Sequence, residues 1–103
     1  MRYRVIFSPE ADAQLVNIYR YINESASPAI AKRFTDAIVD YCEAFDRFPQ
    51  RGAKRNDLRP GLRTVGFRRR VAIAFTVADD TVTIIGVFYG GQDYEASFLK
   101  DEQ

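Results

Sequence analysis

Apolar and polar residues alternate from Tyr3 to Phe7, with Tyr3, Val5 and Phe7 on one side and Arg4 and Ile6 on the other. That period of two is the signature of a strand. The period then changes. Ser8-Pro9-Glu10 is a helix start, because serine caps, proline suits the first helical position and glutamate complements the positive helix end. Ala11, Leu15, Ile18 and Ile22 recur at helical spacing with Tyr19 beside them, predicting a helix to about Glu24. Ser27-Pro28 opens a second helix, and proline disfavours helical geometry at the residue before it, so a tight corner joins the two. The second apolar stripe carries Ile30, Phe34, Ala37, Ile38, Tyr41, Phe45 and, at its end, Phe48, and it stops at Pro49.

Gln50 to Pro60 reads as a connector with turn signals at Gly52, Asn56-Asp57 and Pro60-Gly61. Strands are predicted over 62–67, 70–78 and 81–89, the last two joined by a tight hairpin at Asp79-Asp80. If the middle strand begins at Arg70, the side chains of Arg68 and Arg70 point one way and that of Arg69 the other. The final strand places Val82, Ile84 and Phe88 on one face and Ile85, Val87 and Tyr89 on the other, and a strand apolar on both faces belongs in the middle of a sheet. Gly90-Gly91 breaks it, and Asp93 caps a short last helix over 94–99. The expected fold is α+β in the order β-α-α-β-β-β, one domain spanning 1–103. A small twisted, mostly antiparallel sheet carries a helical hairpin on one face. Two helices cover one face, so the other is expected to leave Ala72, Ala74, Thr76, Ile85, Val87 and Tyr89, or the opposite set, as a partly apolar groove open to a partner.

Charge sharpens this picture. A net of +1 over 103 residues hides a strong asymmetry. Nine of the fifteen basic residues and a single acid, Asp57, lie between Arg47 and Arg70, a local net of +8 against −7 for the rest. Such a segment points to an acidic or polyanionic partner. There is no histidine, which removes the usual general base at neutral pH, the serine–histidine triad and most zinc sites. Cys42 is alone, so no disulfide framework is expected. Asp36, Asp40 and Glu43 share a helix face at a spacing a metal site might use. They lie opposite the apolar stripe with Lys32 and Arg47 at ion-pairing distance along the helix, so surface pairing is expected and no metal or other cofactor. No leader-like apolar segment follows Met1 and no run reaches the length of a membrane span, so a cytoplasmic protein is expected.

The stretches FSPEADAQLVNIYRYI, FPQRG, GLRTVGFRRRVAIAF and VTIIGVFYGGQD, in this order over nearly the whole chain, resemble the ParE branch of the RelE/ParE toxin superfamily. The resemblance implies a toxin of a bacterial type II toxin–antitoxin pair, neutralised by a ParD-like antitoxin from a neighbouring gene in a hetero-oligomer. It further implies DNA gyrase as the target, bound by an inhibitor and not processed by an enzyme. Two alternatives stay open: a RelE-type ribosome-dependent mRNA endonuclease, and an inactive homologue that only binds antitoxin.

For the nuclease, Arg70 matches the arginine that helps hold phosphate in RelE-like enzymes. Tyr89 sits where many relatives carry histidine and Gln92 where many carry arginine, so the RelE-type ribonuclease residues are largely absent and no catalytic residue is expected; if the chain is a nuclease, Arg70 and Tyr89 are the candidates. For the inhibitor, Arg63, Arg68, Arg69, Arg70 and Tyr89 are the expected target-binding residues. Tyr19, Arg59, Ala72, Ala74, Ile85 and Val87 are the expected antitoxin-binding residues. Three abutting arginines repel one another next to an apolar strand. They meet either a nucleic-acid backbone or the acidic residues of an antitoxin. Aromatics other than Phe67 are not interleaved with them, which argues against base stacking on single strands.

Overall fold

The computed structural model describes residues 2–90 and Phe98. Strand β1 (Arg4–Phe7) leads into helix α1 (Pro9–Ser25), and helix α2 (Pro28–Glu43) follows after a two-residue corner. Each helix begins as its residues dictate: the Ser8 hydroxyl accepts from the Ala11 N–H at 3.1 Å and the Ser27 hydroxyl from the Ile30 N–H at 3.1 Å, with proline at the first helical position. Four more strands follow among the described residues: β2 (Ala53–Lys54), β3 (Leu62–Phe67), β4 (Val71–Ala78) and β5 (Thr81–Tyr89). They form one five-stranded sheet in the order β1-β5-β4-β3-β2, antiparallel except for β1 against β5. The expected order holds, with the two-residue β2 added inside the basic connector. Among the described residues no helix is long and apolar enough to cross a membrane.

The main core lies between the helix pair and the sheet, built from Ile18, Ile38, Phe45, Ile73, Phe75, Val82 and Ile84. Cys42 belongs to it, and burial pushes its thiol up to about 12, so it packs as a small apolar group. Two stripe residues differ from expectation. Ala31, not Ile30, faces the sheet, and Ile30 is 49% exposed because it sits one residue, about 100°, round the helix. The α-helix ends at Glu43 and tightens into a 3-10 turn, Ala44–Asp46, whose last carbonyl accepts from the Tyr3 N–H at 2.8 Å. The tighter turn keeps Phe45 in the core and swings Phe48 out, leaving it 72% exposed.

The far face of the sheet is not bare. Leu58 from the connector and Phe98 pack on Leu62, Ala74 and Phe88, with Ala72 and Ile85 alongside. The alternation in β5 breaks at a β-bulge: Phe75 pairs with Ile84 and Ala74 with Gly86, leaving Ile85 as the extra residue. One inserted residue flips every later side chain. Val87 and Tyr89 therefore share the helix-facing core with Val82 and Ile84, while Phe88 turns to the far face. Apart from Phe98, the short helix expected over 94–99, its Asp93 cap and Gln92 lie outside the described residues.

Candidate functional site

The three arginines do not begin β4. They form the turn between β3 and β4: Phe67 pairs with Val71, and the Arg70 N–H donates to the Phe67 carbonyl at 3.1 Å. Arg68 and Arg69 both take left-handed backbone geometry, φ 52° and 58°. Positive φ at two successive turn residues is the conformation of a type I′ turn, which suits the twist of a hairpin and favours Asn-Gly. Each non-glycine residue there costs roughly 1–2 kcal/mol. The Arg68 guanidinium lies 4.9 Å over the Phe67 ring. Among the described residues no carboxylate comes within 4.0 Å of Arg68, Arg69 or Arg70. All three are exposed. Arginine at these positions thus satisfies neither the backbone nor a neighbouring acid.

Four other arginines of the basic segment hold the connector together. Arg51 Nε donates to the Phe48 carbonyl at 2.7 Å, with its guanidinium 4.6 Å over the Phe45 ring. Arg63 Nη1 donates to the Arg51 carbonyl at 3.2 Å. Arg55 grips the Asp57 carboxylate with two nitrogens at 3.0 and 2.9 Å, and this hydrogen bonding lowers the Asp57 pKa. Arg59 lies 5.0 Å over the Phe98 ring. Arg63 is four strand positions from Phe67, roughly 13 Å along β3, so it is not part of the turn cluster.

The end of β5 reaches the arginine turn. Tyr89 pairs with Val71, and the Gly90 N–H donates to the Arg70 carbonyl at 2.7 Å. The structure therefore places the Arg70 and Tyr89 backbones on neighbouring positions. On the other side of β5, β1 stops pairing at Phe7 with Ile84, where the chain turns into α1. The Gln14 side chain of α1 takes over, its Oε1 accepting from the Val87 N–H at 2.6 Å. A cleft of about 380 Å³ opens between Gln14, Asn17 and Tyr21 of α1 and Val87, Tyr89 and Gly90. Tyr21 is 58% exposed, and its ring centroid lies 5.6 Å from that of Tyr89 at 57°. Tyr89 meets Phe34 edge-on at 5.7 Å, and Phe34 meets Phe67 at 6.3 Å, so aromatic rings run from the cleft to the ring beneath Arg68.

The residues expected to bind an antitoxin divide between the two faces. Tyr19 and Val87 pack on the helix side, whereas Ala72, Ala74 and Ile85 belong to the far-face cluster, with Arg59 over its Phe98 ring. Val87 and Ala74 are each 1% exposed, so neither opens a groove on the far face of the sheet: Ala74 is covered there, and Val87 turns to the helix side at the base of the α1 cleft. The bulge accounts for Val87, and Leu58 and Phe98 account for Ala74. The Asp36 carboxylate pairs with Lys32 at 2.6 Å along the helix surface. Tyr21 and Gln14 are the site residues that sequence reasoning missed. Their signal was present: Gln14, Asn17 and Tyr21 repeat at helical spacing beside the apolar stripe.

A family model described as the ParE toxin of the type II toxin–antitoxin system parDE matches residues 5–94. A solved structure of a chromosomal ParDE TA system from P. aeruginosa superposes with a TM-score of 0.76 at 22% identity, covering 86% of this chain and 97% of that one. No curated protein sequence gives a significant match.

Proposed function

The chain belongs to the ParE toxin family of type II toxin–antitoxin systems, and on that premise we propose that it arrests growth by binding and inhibiting DNA gyrase through the arginine turn. The observation that carries this reading is the pair Arg68 and Arg69, held in left-handed geometry without a carboxylate partner among the described residues. Strain of this kind persists where function requires it. Arg70 and Tyr89 extend the same surface, and Arg63 stands apart from it as a connector residue with its own backbone partner. The protein acts as a binding inhibitor with no cofactor in the cytoplasm, and is held inactive by a ParD-like antitoxin in a hetero-oligomer. Tyr19, Arg59, Ala72 and Ile85 are the antitoxin-facing positions that retain some exposure.

One observation favours the ribonuclease as a second reading: Arg70 lies one strand from Tyr89, so an arginine for the phosphate and a hydroxyl for proton transfer share one end of the sheet. Growth assays test the role of the turn in either case. Expression without antitoxin is expected to stop growth, and the triple variant Arg68→Ala, Arg69→Ala, Arg70→Ala to restore it while remaining folded by circular dichroism. Equal toxicity of the folded triple variant would remove the arginine turn from the account.

A further inference from the structure

We propose that the cleft between α1 and the end of β5 binds an unpaired nucleotide of a single-stranded nucleic acid, with the base in the cleft and the adjoining phosphates on the arginine turn. This goes beyond the gyrase reading and does not rest on it. At about 380 Å³ the cleft is of small-ligand size, with Ile18 and Val87 as apolar lining. Tyr21 offers a largely exposed ring backed by Tyr89, the kind of platform on which single-stranded bases stack irrespective of sequence. Gln14 is fixed by its bond to the Val87 N–H, which occupies the oxygen and leaves the amide NH2 as a donor. Asn17, exposed one helical turn away, adds both a donor and an acceptor. Carboxamides are the side chains that match the paired donor and acceptor on a base edge.

Charge complementarity selects the occupant. Among the described residues no carboxylate lines the cleft, and its rim residue Gly90 is hydrogen-bonded to Arg70, so the cationic turn begins one strand spacing, about 4.8 Å, from the base recess. A base stacked inside a duplex does not reach a recess of this kind, which restricts binding to unpaired nucleotides. The sequence-level objection to base stacking was the lack of aromatics among the arginines. The fold supplies one from α1, far away in the chain.

The test is fluorescence anisotropy of labelled single-stranded DNA, single-stranded RNA of the same sequence and the matching DNA duplex, titrated with the full chain at several salt concentrations. Single strands are expected to bind more tightly than duplex, and the DNA and RNA arms show which sugar is preferred. Tyr21→Ala should weaken single-strand binding roughly tenfold, while Tyr21→Phe, which keeps the ring, leaves it unchanged. Replacing all three arginines with alanine should flatten the logarithmic salt dependence for single strands by about 2. Undiminished binding by folded Tyr21→Ala, equal affinity for duplex and single strand, or no binding by the unaltered protein would each overturn the proposal. Growth arrest and gyrase inhibition are read separately, so failure here leaves that reading standing, and the converse also holds.

Discussion

Arg68 and Arg69 occupy backbone geometry that asparagine and glycine adopt at little cost and arginine does not. Their charges also repel each other and that of Arg70 at the tip of a hairpin whose own folding asks for no charge. The double variant Arg68→Asn, Arg69→Gly should therefore raise unfolding free energy by about 1–2 kcal/mol in a denaturant titration. It should lose toxicity at the same time. Opposite movements of stability and activity mark a site held under functional strain, and a variant that becomes less stable would contradict the strain argument. The arginines were conspicuous in the sequence, but their conformation was not. Asn-Gly announces a primed turn, whereas Arg-Arg has no such signature, so strand geometry was the natural expectation at Arg70.

At the scale of elements, local chemistry was most legible where it was strongest. Ser8-Pro9 and Ser27-Pro28 start both helices as expected, and the strands over 62–67 and 81–89 keep their predicted limits. Three features were hidden for physical reasons. The extra residue of the bulge is Ile85, apolar like Ile84 before it, and only Gly86 after it marks the irregularity. The far-face cover comes from Leu58 in a polar connector and from Phe98, neither set apart by periodicity. Strand β2 has two exposed residues and exists because it docks on Thr64 and Arg63. That docking depends on Gly52, at φ +72°, where a Cβ would meet the Thr64 carbonyl oxygen at 2.2 Å. Gly52→Ala should cost on the order of 2 kcal/mol by both positive φ and the backbone clash. Hydrogen exchange should show the loss first in β2 and the facing half of β3. An unchanged midpoint would mean that β2 contributes nothing to stability.

For the whole molecule, the fold separates two groups of arginines within the basic segment. Arg51, Arg55 and Arg63 bind the connector to itself, and Arg59 covers Phe98. Arg68, Arg69 and Arg70 gather at one end of the sheet, beside Tyr89 and the α1 cleft. Three charges of the local excess of +8 thus form a compact cationic tip flanked by aromatic rings. That tip depends on contacts between α1, β5 and the β3–β4 turn. No linear pattern joins Tyr21 to Arg70, so the composite site was only half visible before the fold. The proposed inhibition of gyrase by this tip is tested most directly by plasmid supercoiling with purified gyrase titrated with the protein. Dose-dependent loss of supercoiled product, or trapped cleaved DNA, is expected from the unaltered chain and not from the triple-arginine variant. Full supercoiling in the presence of folded protein that still arrests growth in cells would contradict it.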